Sequence, residues 1–172
     1  IPGGVNKAVT AEERDLLLKD IYQIVGWSRD AVALVKRLHN QHPALYNSFG
    51  ASRSKMLSMV GRDGAMDLYD GVLRARDENG DIIFDGVEYD QYMDIIEEGV
   101  KSWSYMKFPY LRCLGPDKGS YRVGPLSRVQ NCDNIPTPLA EIERREFMDY
   151  SGTMPLHAPL AYHWARMIEM LH

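Results

Sequence analysis

The stretch from Thr10 to His42 constrains the fold of this chain more than any other. Thr10 is followed three residues later by Glu13, a capping box in which hydroxyl and carboxylate satisfy free backbone N–H groups at a helix start. Apolar residues then recur at Leu17, Ile21, Ile24, Val32, Val35 and Leu38, with Ser28 in the remaining slot, on the 3.6-residue period of an α-helix. The run stops at His42-Pro43. The spacing predicts one helix of about 30 residues and about 45 Å. A helix of that length needs a larger partner surface than the rest of a 172-residue chain supplies.

Beyond Pro43 the pattern changes, and the whole reads as an α+β fold that is mainly helical. Gly61-Arg62-Asp63-Gly64 and Asp77-Glu78-Asn79-Gly80 are turn signals between short β-branched segments. Leu57–Val60, Tyr69–Arg76 and Asp81–Phe84 are expected to form a small antiparallel meander, a β insert at about 57–87. Tyr89–Val100 reads as a helix with Tyr92, Ile95, Ile96 and Val100 on one face. From Trp103 to Asn134 the chain is rich in Gly, Pro and aromatics with little periodicity, and Trp103, Tyr105, Phe108 and Tyr110 are expected in the core. Thr137-Pro138 opens the first of two C-terminal helices, a capping hydroxyl followed by Pro at the first helical position, with Leu139, Ile142 and Phe147 on its apolar side. Ser151-Gly152-Thr153-Met154-Pro155 breaks it, and Leu160, Trp164, Met167, Ile168 and Leu171 mark the second.

Composition removes several classes of function. The balance of 20 basic against 24 acidic residues, with no Lys/Arg block, lacks the electrostatic footprint of a nucleic-acid binder. No apolar run approaches the 18 or more residues that a membrane helix needs. Cys113 and Cys132 stand alone rather than in a C-x-x-C pair, which suits a reducing compartment and gives no zinc or iron-sulfur spacing. The phosphate-loop, dinucleotide, zinc-protease and nucleophile-elbow signatures are all missing. Asp63, Asp67 and Asp70 fail the spacing of a calcium loop and read as a solvated turn. The five histidines form no i, i+3 or i, i+4 pair, and His163 is expected to be packed or capped.

One run is not generic. Tyr121-Arg122-Val123-Gly124-Pro125-Leu126-Ser127-Arg128-Val129 contains V-G-P-L-S-R. In order along the chain stand Ile1-Pro2-Gly3-Gly4-Val5, Tyr69-Asp70-Gly71 with Asp85-Gly86-Val87, Glu98-Gly99-Val100-Lys101-Ser102-Trp103, and Lys107-Phe108-Pro109-Tyr110. Asn131-Cys132-Asp133 and His163-Trp164-Ala165-Arg166 follow. Together these resemble the large catalytic subunit of nickel-iron hydrogenases, and the tight joining of Ser102–Tyr105 to Lys107 is similar to its cytoplasmic, NAD- or soluble-carrier-linked branch.

The resemblance implies that residues 1–172 are one domain or segment from the centre of such a subunit, a scaffold that is inactive alone while the intact enzyme turns over hydrogen. It implies a nickel-iron centre, with magnesium nearby, in the parent protein and no cofactor held by this chain, since the family's two C-x-x-C ligand pairs are absent here. Glu98 and Lys107 are the implied outer-shell or proton-relay residues, by their place in the E-x-V and K-x-P segments. Gly124, Pro125, Leu126 and Arg128 mark the structural motif, and Arg122 and Arg128 are expected to bridge backbone carbonyls. The implied partners are an iron-sulfur small subunit together with the remaining parts of the large subunit, in the cytoplasm, with self-association of the chain through uncovered apolar surface. A metal-free, hydrogenase-like binding or assembly module is the alternative reading.

Overall fold

The computed structural model describes residues 7–152 and 154–172. The resemblance carried by Ile1–Val5 lies outside the described residues, as does Thr153 within the expected helix break.

The Thr10 cap forms as the sequence requires: its hydroxyl accepts the Glu13 N–H at 3.2 Å, and the Glu13 carboxylate accepts the Thr10 N–H at 3.0 Å. The helix it starts is not one rod. α1 spans Ala11–Leu18, α2 spans Ile21–Gln41 and α3 spans Pro43–Ser48. The first break falls at Asp20, which leaves the helical region at φ −102°, ψ 6°. Asp is a weak interior helix former because its short carboxylate competes for nearby backbone groups, and no packing opposes it, since α1 buries nothing. Along α2 the buried positions are Ser28, Val32 and His39, with Val35 packed beside them, whereas Ile21, Ile24 and Leu38 face solvent.

β1 (Lys55–Val60), β2 (Val72–Arg76) and β3 (Ile82–Glu88) form the expected antiparallel meander. A fourth strand, β6 (Tyr121–Arg122), adds in parallel beside β1, giving the order β3-β2-β1-β6. The turn into β3 is built by Asp77, whose Oδ1 accepts the N–H groups of Asn79 and Asp81 at 2.8 and 3.0 Å, with Gly80 at φ +96°. Asp67 likewise accepts the N–H groups of Tyr69 and Asp70, so the acidic run at 63–70 is a turn.

Three expectations are corrected in the middle of the chain. Tyr89–Val100 is helical only as a 3-10 turn and the single turn α4 (Tyr92–Ile95); from Ile96 it becomes β4 (Ile96–Lys101). β4 pairs antiparallel with β5 (Ser104–Leu111), from Ile96↔Leu111 to Lys101↔Ser104. The apolar spacing at 92, 95, 96 and 100 fits a helix, but β-branched Ile96 and Val100 and the cross-strand partner carried by the next segment prevail. The supposedly irregular 103–134 stretch therefore holds β5, the one-turn helix α5 (Gly115–Lys118), β6 and α6 (Pro125–Asn131). The hairpin aromatics are also not core: Trp103 is 75% and Tyr105 98% exposed, with Phe108 and Tyr110 half-buried.

α7 (Pro138–Ser151) and α8 (Ala161–Leu171) close the chain. The main core joins Val60 and Val72 of the sheet, Leu126 and Val129 of α6, Phe147 of α7, and Trp164 and Ile168 of α8. Leu139 and Ile142, expected on the buried side of α7, are exposed, and the buried face is Ala140, Arg144 and Phe147. The Thr137 hydroxyl does not cap α7 but contacts His172 Nδ1 at 2.9 Å, and His163 is exposed rather than packed. A smaller core of Leu57, Ala75 and Leu111 fixes the root of the β4–β5 hairpin, with Ile96 and Leu114 packed against it.

Candidate functional site

The Tyr121–Val129 run sits where sheet, α6 and α8 meet. Arg122 donates to the Ser52 carbonyl at 2.8 Å, to the Ser52 hydroxyl at 2.9 Å and to the His157 carbonyl, joining two loops. Gly124 takes φ +87°, the left-handed region that a side chain would strain. It is followed by Pro125 at the first turn of α6, where the missing N–H costs nothing. Leu126 is completely buried, and the Ser127 hydroxyl reaches back to the Arg122 carbonyl at 2.9 Å. Arg128 does not bridge carbonyls: it forks onto the Glu169 carboxylate at 2.5 and 2.9 Å, tying α6 to α8.

Directly behind this run lies a polar cluster. Asn131 is fully buried, and its amide donates to the Met56 carbonyl, the Ser58 hydroxyl and the Arg74 carbonyl at 3.3, 3.0 and 3.2 Å. Arg74, itself buried, donates to the Asn131 carbonyl at 2.9 Å and to Asp133 and Asp85 at 3.0 and 2.8 Å. From α7, Arg144 donates to the Asp133 carbonyl at 2.7 Å and to Glu141 at 2.8 Å. Burial pushes the Glu141 carboxyl up, but hydrogen bonds from Arg144, Arg145 and the Ile135 N–H outweigh it and hold the group at about 2. Every charge here is committed to another part of the chain, so the cluster clamps sheet to helices and leaves no poised acid–base pair.

Glu98 and Lys107 are brought together on the β4–β5 hairpin, with Lys107 Nζ 3.9 Å from Glu98 Oε2. Both side chains are more than half exposed, away from the polar cluster. The two cysteines are free, Cys113 on the surface and Cys132 buried. Burial pushes the Cys132 thiol up to about 11, and Sγ rests on the Val129 carbonyl, so the group stays a protonated thiol rather than a thiolate ligand. Among the described residues no group of three or more His, Cys, Asp or Glu converges as a metal site. The side chains of this chain do not fit a nickel, iron or magnesium centre by themselves, and no chemical step is derived through one.

Several of the most buried polar residues give only a faint signal in sequence. Arg144 falls at an apolar position of α7, between Ala140 and Phe147, and a charged residue on a core face is such a signal. Arg74, Gln130 and His39 carry none, because their partners lie 26 to 111 residues away.

No family model matches the chain. Among curated proteins it is 37% identical to NAD-reducing hydrogenase HoxS subunit beta of Cupriavidus necator, over all of this chain and 36% of that protein. It is 39% identical to a vhu subunit of the F420-non-reducing hydrogenase of Methanocaldococcus jannaschii, over 99% of this chain and 40% of that protein. Among solved structures, that of an NAD+-reducing [NiFe]-hydrogenase in the H2-reduced state superposes with a TM-score of 0.90 at 43% identity, over all of this chain and 38% of the other. The chain is similar to hydrogenase subunits. It spans between about a third and two fifths of the length of the relatives it matches.

These relatives correct the subunit assignment that the motifs suggest. The curated matches are a HoxS beta subunit and a vhu subunit, and neither carries the name of a nickel-iron large catalytic subunit. The chain is therefore grouped with the HoxS beta and vhu types. The physical reason is that the Gly124–Arg128 run fixes a turn and a helix, and among the described residues there is no ligand set that would specify a metal-bearing subunit.

Proposed function

We propose that this chain supplies the scaffold of one part of a hydrogenase subunit of the HoxS-beta and F420-non-reducing vhu type, working in a multi-subunit oxidoreductase. The observation that carries this is the superposition of the entire chain, at a TM-score of 0.90 and 43% identity, on a hydrogenase whose name gives NAD+ as its acceptor. Two faces left bare support the reading. α2 bears a second apolar stripe, Ile24, Trp27, Leu34 and Leu38, at coiled-coil spacing and exposed, and the hairpin presents Val100, Trp103, Tyr105 and Met106. On these faces the rest of the subunit, with its neighbours in the complex, would pack. Among the described residues no helix is long and apolar enough to cross a membrane, and the NAD-reducing relative agrees with action in the cytoplasm on a soluble carrier.

In this reading any metal centre is held outside this chain. Glu98 and Lys107 lie at a packing face where a carboxylate and an ammonium could order water against a neighbour. The test is to isolate the complete complex that contains this chain and to assay hydrogen-dependent reduction of an artificial viologen and of NAD+. Reduction of viologen is expected, and a complex that reduces neither overturns the proposal. Glu98→Gln and Lys107→Met in that complex should lower turnover without loosening assembly; unchanged turnover removes both residues from the relay.

A further inference from the structure

His39 is completely buried at the joint of four helices and takes no part in the clamps around Arg122, Asn131 and Arg144. It sits one turn from the end of α2, and its ring packs at 5.0 Å between centroids on Tyr46 of α3, at 5.0 Å on Tyr150 of α7 and at 5.6 Å on Trp164 of α8. Its Nε2 lies 3.2 Å from Asn47 Oδ1 and 3.1 Å from the Tyr150 hydroxyl, while the Asn47 amide N–H donates to that same hydroxyl at 2.7 Å. An amide oxygen only accepts, so Nε2 carries the hydrogen and the ring is neutral.

The other nitrogen is the informative one. His39 Nδ1 is buried without a hydrogen-bond partner, and so is the indole Nε1 of Trp164. In the neutral ring Nδ1 is an unused lone pair, which burial tolerates. A proton there would make it a second donor in a joint whose nearest unpaired polar atom is already a donor, at the cost of an unmet buried N–H. The groups that face the ring are two phenols, an amide and an indole, and none of them carries a negative charge in the acid range to offset a cation. Burial accordingly pushes His39 below the ordinary histidine value of 6.5, and the Asn47 hydrogen bond only partly opposes that.

We propose that His39 is an acid-operated latch: its neutral Nε2–H ring holds the end of α2 and α3 against α7 and α8, and uptake of one proton from solvent at Nδ1 opens that joint. The surrounding elements give the opening a place to occur. α3 follows α2 directly through His42-Pro43 and buries no residue of its own, so Asn47 and Tyr46 are held largely through this ring.

Nitrogen-resolved NMR of the histidine rings in this chain tests the proposal, because each ring reports its own tautomer and titration. His39 should show the Nε2–H tautomer at pH 7.5 and should remain neutral at pH 6.5, with Asn47 and Tyr46 resonances changing as it charges. A His39 in the Nδ1–H form, or one that titrates at 6.5 or above, overturns the latch. The second measurement is the unfolding constant from urea titrations between pH 7 and pH 5. One linked proton raises that constant by up to tenfold per pH unit below 6.5, and His39→Gln should remove that part of the dependence. An unaltered pH dependence in His39→Gln also overturns the proposal, and the contribution of His157, which burial likewise holds below its ordinary value, is read from its own ring signals.

Discussion

The three tryptophans of this chain report two kinds of region. Trp164 on α8 is 1% exposed and meets Phe147 edge-on at 5.1 Å between ring centroids, with His39 and Tyr150 on its other sides. Trp27 on α2 and Trp103 at the hairpin are 61% and 75% exposed. Around Trp164 every large apolar group has a partner within the chain, and most buried polar groups there find theirs across tens of residues. Around Trp27 and Trp103 the apolar groups are as large and have nothing to cover them. The sheet with α6, α7 and α8 is thus self-sufficient. The outer side of α2 and the hairpin are surfaces made for something else, which matches a chain that spans about two fifths or less of its relatives' length.

That contrast is sharpest in truncation. Trp164→Ala removes a buried indole and leaves a cavity in a wall that Phe147, Ile168 and Ala140 cannot fill, a loss of about 3–5 kcal/mol. Trp103→Ala should change stability by less than about 0.5 kcal/mol, as exposed positions do. Urea unfolding of both variants checks the pair. Equal losses would mean that the hairpin is a structural part of the same cooperative unit and would break the comparison.

The next largest effect is electrostatic and belongs to the self-sufficient side. Glu141, at about 2 in the folded protein against an ordinary 4.5, stabilises the fold fully above pH 4.5 and loses that contribution as pH falls toward 2. The side chain is 13% exposed, and the shift corresponds to on the order of 1–3 kcal/mol. Glu141→Gln should therefore lower stability at pH 7 and flatten the acid limb between pH 4.5 and pH 2. An acid limb of unchanged slope would show that the Arg144 clamp is not what acid dismantles.

How much of this could be read from sequence obeys the same division. The Thr10–Glu13 cap, the meander and the two closing helices were legible because each is decided locally, by a cap, by turn residues or by a period. The hairpin was not, because Tyr92, Ile95, Ile96 and Val100 satisfy a helical period and only the pairing of Ile96–Lys101 with Ser104–Leu111 makes them a strand. The break at Asp20 was hidden for a related reason: nothing local forbids a helix there, and the packing that would have enforced one is missing. At the candidate site, the Gly124–Pro125 turn could be seen in the motif, whereas Asn131, Arg74 and Arg144 are recognisable as a cluster only once strands and helices from both halves of the chain meet. Which subunit the chain belongs with was misread, because a motif that shapes a turn says little about what the whole protein carries.

The bare faces make a third prediction, which concerns association rather than stability. Trp27→Glu with Leu34→Lys places opposite charges on the exposed stripe of α2 and should leave urea unfolding within about 0.5 kcal/mol of the parent. Light scattering should show the parent chain self-associating through that stripe and the double variant monomeric. A monomeric parent would mean that the stripe, although apolar, is too narrow to hold a partner without the other surfaces of the subunit.

The smallest expected effect is at Glu98 and Lys107. Their groups are 3.9 Å apart, exposed, and on paired strands rather than locked in a fork. An ion pair in that setting contributes between about 0 and 1 kcal/mol and is screened by salt. Glu98→Ala in the chain alone should therefore be nearly silent in urea unfolding, at low and at high salt alike. That silence separates stability from role: a residue that matters little to this chain's fold but lowers turnover in the complete complex acts on water or protons at the face it shares with a neighbour. A loss of more than about 1 kcal/mol in the isolated chain would instead place the pair on the self-sufficient side of the molecule and make the hairpin an extension of the core.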